Sequence, residues 1–423
     1  MTRRELALLL PLLALYVAAW ALFPERPDDG ASYVELAERL VDGVHVAGNG
    51  DALLNADPGS PDLWFGPGLP ALLTPLVAVG APLSLLRLTS ALVLFGAVLL
   101  MYVLLRERWG TRVGLTGAYA LGLYLPFLGL LSNLHSEVLA VLFVVVGMLG
   151  LARFLDRGGV VWLVVGSAGL AGLALTRVAY GWVLTVAVIA LLAWWLVRRS
   201  QSAGRSVAVL GLALVLCLPW LAYTHSKTDR LFVWGNSGSL SLYWMTSPHD
   251  GDLGDWHQAH LVFTDPDLRP HREFFESLRG LGLAEQNAEI EREALRNIGD
   301  HPLAYAENVV ANVSRMFFNS PYSRTQQQSN DVFYAVPNAI LLGATVFCAF
   351  VLLPRRRALP PETGVFALLA GAAFGLHALV SAYPRMLAPI VPLLVWLTVL
   401  SLVESGLLRR GAPRGTPAPT GSW

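Results

Sequence analysis

The chain has 423 residues, 55% of them hydrophobic and only 14% charged, with a mean hydropathy of +0.54. A soluble globular domain carries about 25% charged residues, so the composition excludes an ordinary water-soluble protein. With 30 basic and 30 acidic residues there is no net field to gather nucleic acid.

The predicted elements are helical spans, each an apolar run of roughly the 17–25 residues needed to cross hydrocarbon. In chain order they are Leu6–Phe23, Leu83–Leu105, Val113–Leu131, His135–Phe154, Val160–Leu175, Val178–Leu196, Val207–Tyr223, Val332–Leu353, Val365–Val380 and Leu387–Val403. The first ends in Phe23-Pro24-Glu25 with no small-residue cleavage site, so it is expected to remain as a span. Cys217 and Cys348 both fall inside apolar runs and read as small buried hydrophobes, not as a disulfide or metal ligands.

A further run, Leu63–Val79, contains Pro67, Pro70 and Pro75 with Gly66 and Gly68, which weaken a continuous helix. Arginine distribution decides its role. If it does not cross, one face of the membrane collects Arg3 and Arg4 and the clusters around Arg108, Arg153, Arg198, Arg356 and Arg410, while the short loops opposite keep Arg177 and Arg385. If it crosses, the N-terminal arginines and the later clusters are split between the two faces. The positive-inside rule prefers the first arrangement, so Leu63–Val79 is expected at the interface and both termini in the cytoplasm.

The resulting fold class is an all-α polytopic membrane protein of about ten transmembrane helices. Its expected parts are an N-terminal membrane module (1–223) with a first outer loop (24–82), a larger outer loop subdomain (224–331), C-terminal spans (332–406) and a disordered cytoplasmic tail (407–423). In the first loop, Asp29 is expected to cap a helix from Gly30 that places Tyr33, Leu36, Ala37 and Leu40 on one apolar face against the membrane surface. In the second, Ala284–Gly299 reads as a helix stopped by Gly299. Asp300 is then expected to cap another that opens near Pro302 and carries an apolar stripe of Leu303, Val309, Val310, Val313, Met316 and Phe317 along the membrane surface. No internal repeat is apparent, which weakens an inverted-repeat transporter.

Several motifs follow one another in a particular order. Asp29 stands four residues before Tyr33, followed by Leu36-Ala37-Glu38-Arg39-Leu40. Gly66-Pro67-Gly68-Leu69-Pro70 comes next, then Arg87-Leu88. Further on are Ser132-Asn133-Leu134-His135-Ser136-Glu137, Gly172-Leu173-Ala174-Leu175-Thr176-Arg177, Pro219-Trp220 with Asn236-Ser237-Gly238-Ser239-Leu240-Ser241-Leu242-Tyr243, and Arg385-Met386-Leu387-Ala388-Pro389-Ile390-Val391-Pro392. In this order, over nearly the whole chain, the sequence resembles the GT-C superfamily of polytopic glycosyltransferases, and within it the bacterial branch related to protein mannosyltransferases and aminoarabinose transferases. It departs from that pattern at Met386, where the family usually has Tyr, and in lacking a basic residue beside the Pro-rich helix.

The resemblance implies a GT-C-like first outer loop and a glycosyltransferase of the bacterial inner (plasma) membrane with an extracytoplasmic active site. It would move a sugar from a polyprenyl-phosphate donor to a glycan, lipid or protein acceptor, by a single inverting displacement. It also implies Asp29 as general base with Asp28 beside it, and Glu137 positioning the acceptor or sharing that role. Tyr33, Arg177 and Arg385 would meet the donor phosphate. A divalent cation at Asp28 and Asp29 is left open, because part of the superfamily is metal-dependent. The stretch His249–His260 matches no metal motif and is expected to face the acceptor through His249, Asp255 and His257. Two alternatives stand beside this reading: a flippase or transporter of lipid-linked glycan, and a glycan polymerase or ligase.

Overall fold

The structure is a computed structural model that describes residues 1–23, 30–43, 63–321, 323, 331–356 and 358–409. Asp28, Asp29 and the end of the tail (410–423) lie outside the described residues. Within them all regular structure is helical. The membrane bundle contains α1 (Arg3–Leu22), α4 (Leu83–Trp109), α5 (Thr111–Gly122), α6 (Pro126–Gly129), α7 (Ser136–Arg157), α8 (Val160–Thr176), α9 (Ala179–Arg198), α10 (Gln201–Leu216), α11 (Leu218–Thr228), α16 (Asp331–Arg355), α17 (Glu362–Leu379) and α18 (Val391–Glu404). The first of the two loops expected outside contributes α2 (Gly30–Val41) and α3 (Gly68–Ala78), and the second contributes α12 (Ser237–Met245), α13 (Arg272–Ser277), α14 (Leu283–Asp300) and α15 (Pro302–Phe318).

Six of these helices are long and apolar enough to cross a membrane, or eight if two bent pairs each count as one span. The bends are 51° between α5 and the segment Pro126–Ser132, and 44° between α10 and α11. Pro126 stands at the start of one second half and Pro219 near the start of the other, where a missing N–H costs nothing. Helices α3, α8 and α18 are apolar but shorter. The protein is therefore a multi-pass membrane protein.

The closest helix pairing explains how the two halves of the site are held. Helices α7 and α8 run along each other with glycine facing glycine: a Cβ on Gly150 would lie 2.2 Å from the Gly166 nitrogen. Small residues at such a crossing let the backbones approach, the usual basis of helix packing in lipid. Because α7 and α8 are antiparallel neighbours joined at Gly158–Gly159, the N-terminus of α7 and the C-terminus of α8 meet at one end of the bundle.

Ion pairs mark the opposite end. Arg108 reaches Asp156 at 2.5 Å and Glu362 at 2.7 Å, Arg153 pairs with Glu107 at 2.5 Å, and Arg106 stands 3.4 Å from Glu5. At about 1.5 Å per residue, this end of α7 lies some 25–30 Å from its N-terminus.

The outer loop has its own apolar core, built from Leu240, Trp244, Trp256, Phe275, Ile290 and Ala294 among others. Three local expectations are corrected here. Helix α14 continues through Gly299 to Asp300, and His301, with Pro302 behind it, is the junction. Asp300 therefore does not cap α15. The face of α2 carrying Tyr33 and Ala37 packs against Leu69 and Leu73 of α3 and Leu139 of α7, not against lipid. And α15 buries Asn308, Asn312 and Arg315 with Met316 and Phe317, while Leu303 and Val310 of its apolar stripe are exposed.

Candidate functional site

Four separate elements deliver polar side chains to the end of the bundle where α7 begins. Glu137, in the first turn of α7, is almost wholly buried, and a helix N-terminus favours a negative charge there. Arg177 is the C-terminal cap of α8, the terminus that favours a cation. Arg385 sits in a 3-10 turn, Pro384–Leu387, between α17 and α18. Tyr33 comes from α2.

These side chains form one connected cluster. Arg177 Nη1 donates to Glu137 Oε1 at 3.0 Å and to Ser136 Oγ at 3.4 Å. Arg385 Nε lies 3.6 Å from the same Glu137 oxygen, and its Nη1 lies 3.4 Å from His135 Nδ1. The Tyr33 hydroxyl donates to Ser136 Oγ at 2.8 Å, and Ser136 reaches Glu137 Oε2 at 3.5 Å. The other Arg177 amino group points at the Met386 sulfur, so Met386 is in contact with the cluster.

Burial is uneven in a useful way. The Glu137 side chain is 1% exposed, whereas those of Arg177 and Arg385 are 16% and 17% exposed. Among the described residues one carboxylate faces two guanidiniums, and the guanidiniums are the more accessible members of the cluster. Such an arrangement can receive an anion, and planar guanidinium donors suit phosphate.

Of the residues singled out from sequence, Tyr33, Glu137, Arg177 and Arg385 are brought together. Asp28 and Asp29 lie outside the described residues, although their neighbour Gly30 is placed: a Cβ there would lie 2.1 Å from Asn133 Oδ1. The chain thus enters α2 directly over Asn133, four residues before Glu137, and a side chain at Gly30 would displace the Asn133 amide. His249, Asp255 and His257 do not join the cluster as a group. His249 is exposed, but Asp255 and His257 are buried, with the His257 ring against Trp244. Asp255 and His257 are thus part of the packed subdomain, whereas His249 is open to its surface. Among the described residues no group of three or more His, Cys, Asp or Glu could hold a metal ion.

Sequence reasoning passed over Ser136 and His135, which connect the cluster, although both stand in the same motif as Glu137. Arg87, part of the Arg87-Leu88 motif but given no role there, is buried and donates to the carbonyls of Trp20 and Phe23 at 3.4 and 3.3 Å. Arg87 thereby fixes the end of α1, from which the chain continues to Asp28 and Asp29.

An apolar groove of about 1220 Å³ runs between α9, α15, α16, α17 and α18. Its walls include Val313, Phe317, Phe374, Leu387 and Ile390 towards the cluster, and Arg356 and Pro360 towards the other end. Leu387 directly follows Met386, so the groove opens beside the cluster.

No protein-family model matches the chain, and no curated protein sequence does. Solved structures do. The oligosaccharyltransferase AglB of Archaeoglobus fulgidus, in complex with an inhibitory peptide and a dolichol-phosphate, aligns at TM-score 0.51 and 15% identity over 96% of this chain and 51% of its own. The apo oligosaccharyltransferase from Archaeoglobus fulgidus aligns at TM-score 0.55 and 13% identity over 95% and 51%. ArnT of Cupriavidus metallidurans, bound to undecaprenyl phosphate, aligns at TM-score 0.38 and 17% identity over 92% and 77%. The chain spans about half the length of the archaeal enzymes it matches, and shares their fold over that half.

Proposed function

We propose that this protein is a membrane glycosyltransferase that takes a sugar from a polyprenyl-phosphate donor and transfers it, with inversion, to an acceptor outside the cytoplasm. The observation that carries the proposal is the Glu137–Arg177–Arg385 cluster, a buried carboxylate holding two partly open guanidiniums, set beside an apolar groove. A polyprenyl-phosphate sugar needs those two features side by side: cationic donors for the departing phosphate and apolar walls for the isoprenoid chain. The shared fold with an oligosaccharyltransferase supports the reading.

The chemistry divides among the residues as follows. Arg177 and Arg385 stabilise the negative charge that grows on the phosphate as the bond to the anomeric carbon breaks. Tyr33, through Ser136, braces the cluster and lies next to the phosphate. Glu137, its oxygens engaged by two guanidiniums and Ser136, orients the arginines. Asp29, one residue before the Gly30 contact with Asn133, takes the proton from the attacking acceptor hydroxyl, with Asp28 beside it.

In this account the protein crosses a bacterial inner membrane ten times, with α8 and α18 as short spans and α3 at the interface. Both termini are cytoplasmic, and the cluster lies outside. Purified protein given an undecaprenyl-phosphate sugar and a cell-envelope acceptor fraction should transfer the sugar, and Asp29→Asn should reduce transfer by about 100-fold or more while the protein still folds. Full activity of that variant contradicts the role given to Asp29. A second reading, glycan ligation, is favoured by the fold shared with an enzyme that transfers oligosaccharide. It predicts preference for an oligosaccharide donor over a monosaccharide one.

A further inference from the structure

Arg385 follows a stretch, residues 380–383, with no regular structure of its own. Helix α17 ends at Leu379, Val380 and Tyr383 are extended (φ −130° and −129°), and the 3-10 turn carrying Arg385 begins at Pro384. Next to a bilayer, backbone groups released from a helix must find partners within the protein. The Tyr305 hydroxyl donates to the Leu379 carbonyl at 3.1 Å and the Ser381 N–H to the Ser241 carbonyl at 3.3 Å, but most of the partners come from a single side chain. The Asn312 amide nitrogen donates to the carbonyls of His377, Ala378 and Val380 at 2.9, 3.2 and 2.8 Å, and its oxygen accepts from the Ala382 N–H at 2.9 Å. Asn312 closes the last turn of α17 and the start of the extended stretch together, three residues before Arg385.

The rest of that face of α15 makes the same kind of contact. One turn earlier, Asn308 donates to the carbonyls of Met245 and Ser247 at 3.1 and 2.9 Å. One turn later, Arg315 donates to Leu253 and Gly254 carbonyls at 2.8 and 3.3 Å. Gly254 in turn accepts from the Ser381 hydroxyl at 2.7 Å. The stretch leading to Arg385 is thus held on both sides by α15 and by the loop that α15 fixes.

We propose that Asn312 is a positioning residue for the anion site: it holds the segment 380–383 so that Arg385 meets Glu137. The inference rests on Arg385 belonging to the donor-phosphate site. The triplet Asn312-Val313-Ser314 matches a glycosylation acceptor pattern, but the Asn312 side chain is fully buried and all its polar atoms are used, so its role is in the scaffold.

The test is modification of arginines by phenylglyoxal in the full-length protein in nanodiscs, read residue by residue by peptide mass spectrometry. Arg87, buried and bonded to the end of α1, is the internal reference. In Asn312→Ala the ratio of Arg385 to Arg87 modification should rise about tenfold, the scale set by stranding buried backbone groups. Asn312→Gln keeps the amide one methylene further out, covers poor yield of the alanine variant, and should shift the ratio in the same direction but less. An unchanged ratio, or an equal rise at both arginines from general loosening, overturns the proposal. Undecaprenyl phosphate added to the unsubstituted protein should protect Arg385. Absence of protection together with a raised ratio in Asn312→Ala would refute the donor reading while upholding the positioning role.

Discussion

Glu137 is the residue on which the site's electrostatics turn. Two guanidiniums share one of its oxygens, and it is the most deeply buried charged member of the cluster. Removing one partner of a buried ion pair is costly because the remaining charge has lost its compensation. Glu137→Gln should therefore destabilise the protein by about 3 kcal/mol in denaturant titration and abolish detectable transfer, whereas a variant of near-normal stability would contradict the paired geometry. Arg177→Lys is a second probe. A lysine is a compact point charge and cannot contact Ser136, Glu137 and Met386 at once as the guanidinium does. Undecaprenyl-phosphate binding should weaken about tenfold or more, the loss expected for a charge-assisted hydrogen bond, by microscale thermophoresis. At this scale the sequence was informative where a motif carried the residue. Glu137, Arg177, Arg385 and Tyr33 stand out because charged or hydroxyl side chains at the ends of apolar runs need a reason. Asn312 could not be recognised, because nothing in its helix says that a strand-like segment 65–70 residues later supplies its partners.

At the scale of elements, the relation of Glu137 to Arg177 is set by how closely α7 and α8 approach. A side chain at Gly150 would collide with the backbone at Gly166 and push the helices apart. Gly150→Leu should cost about 1–3 kcal/mol and, although far from the cluster, reduce transfer; thermal unfolding and activity measured together check both. The outer subdomain depends on pH through its histidines. Burial pushes His249 and His257 below the ordinary 6.5, and for His249 the neighbouring His271 adds to the shift. Burial would raise Asp252, but hydrogen bonds from His271 and Ser247 hold its carboxyl below its usual 3.8. The folded subdomain therefore favours neutral His249 and His257. Their contribution is complete above pH 6.5 and is lost as pH falls below it, while that of Asp252 persists down to about its ordinary value. Hydrogen exchange corrected for its intrinsic rate should quicken in 224–331 between pH 7.5 and 5 and remain unchanged in α7 and α8. Equal protection at both pH values would contradict the assignment. The elements themselves were legible from hydropathy and proline, including both loop helices of the first outer segment. The buried face of α15 was not, because an apolar stripe predicts a core-facing side only where apolar groups meet it. Here the partners are loop carbonyls, and Leu303 and Val310 remain exposed.

For the whole molecule, charge is distributed between two ends. Arginines paired with Glu107, Asp156 and Glu362 gather at one end of α7, and the Glu137 cluster sits at the other. In the proposed topology, which follows the positive-inside rule, the arginine-rich end faces the cytoplasm. In intact cells a membrane-impermeant maleimide should label Arg230→Cys, in the large loop, and leave Gln201→Cys, at the start of α10, unlabelled. Both native cysteines are buried and contribute little background. The reverse pattern would invert the topology. The multi-pass, all-helical organisation was readable in advance because length and hydropathy mark apolar helices without tertiary contacts; the direction expected from the arginine counts awaits the labelling experiment. Where the two broken spans bend had to come from the structure.

The claim on which the account depends is that a polyprenyl phosphate is held between Arg177 and Arg385 with its chain in the adjoining groove. A structure determined with undecaprenyl phosphate bound tests this most directly. The account predicts phosphate oxygens about 2.7–2.9 Å from nitrogens of Arg177 and Arg385, with the isoprenoid chain passing Leu387 into the groove lined by Phe317 and Phe374. A phosphate bound away from both arginines, or at the arginine-rich end near Arg108, would contradict it.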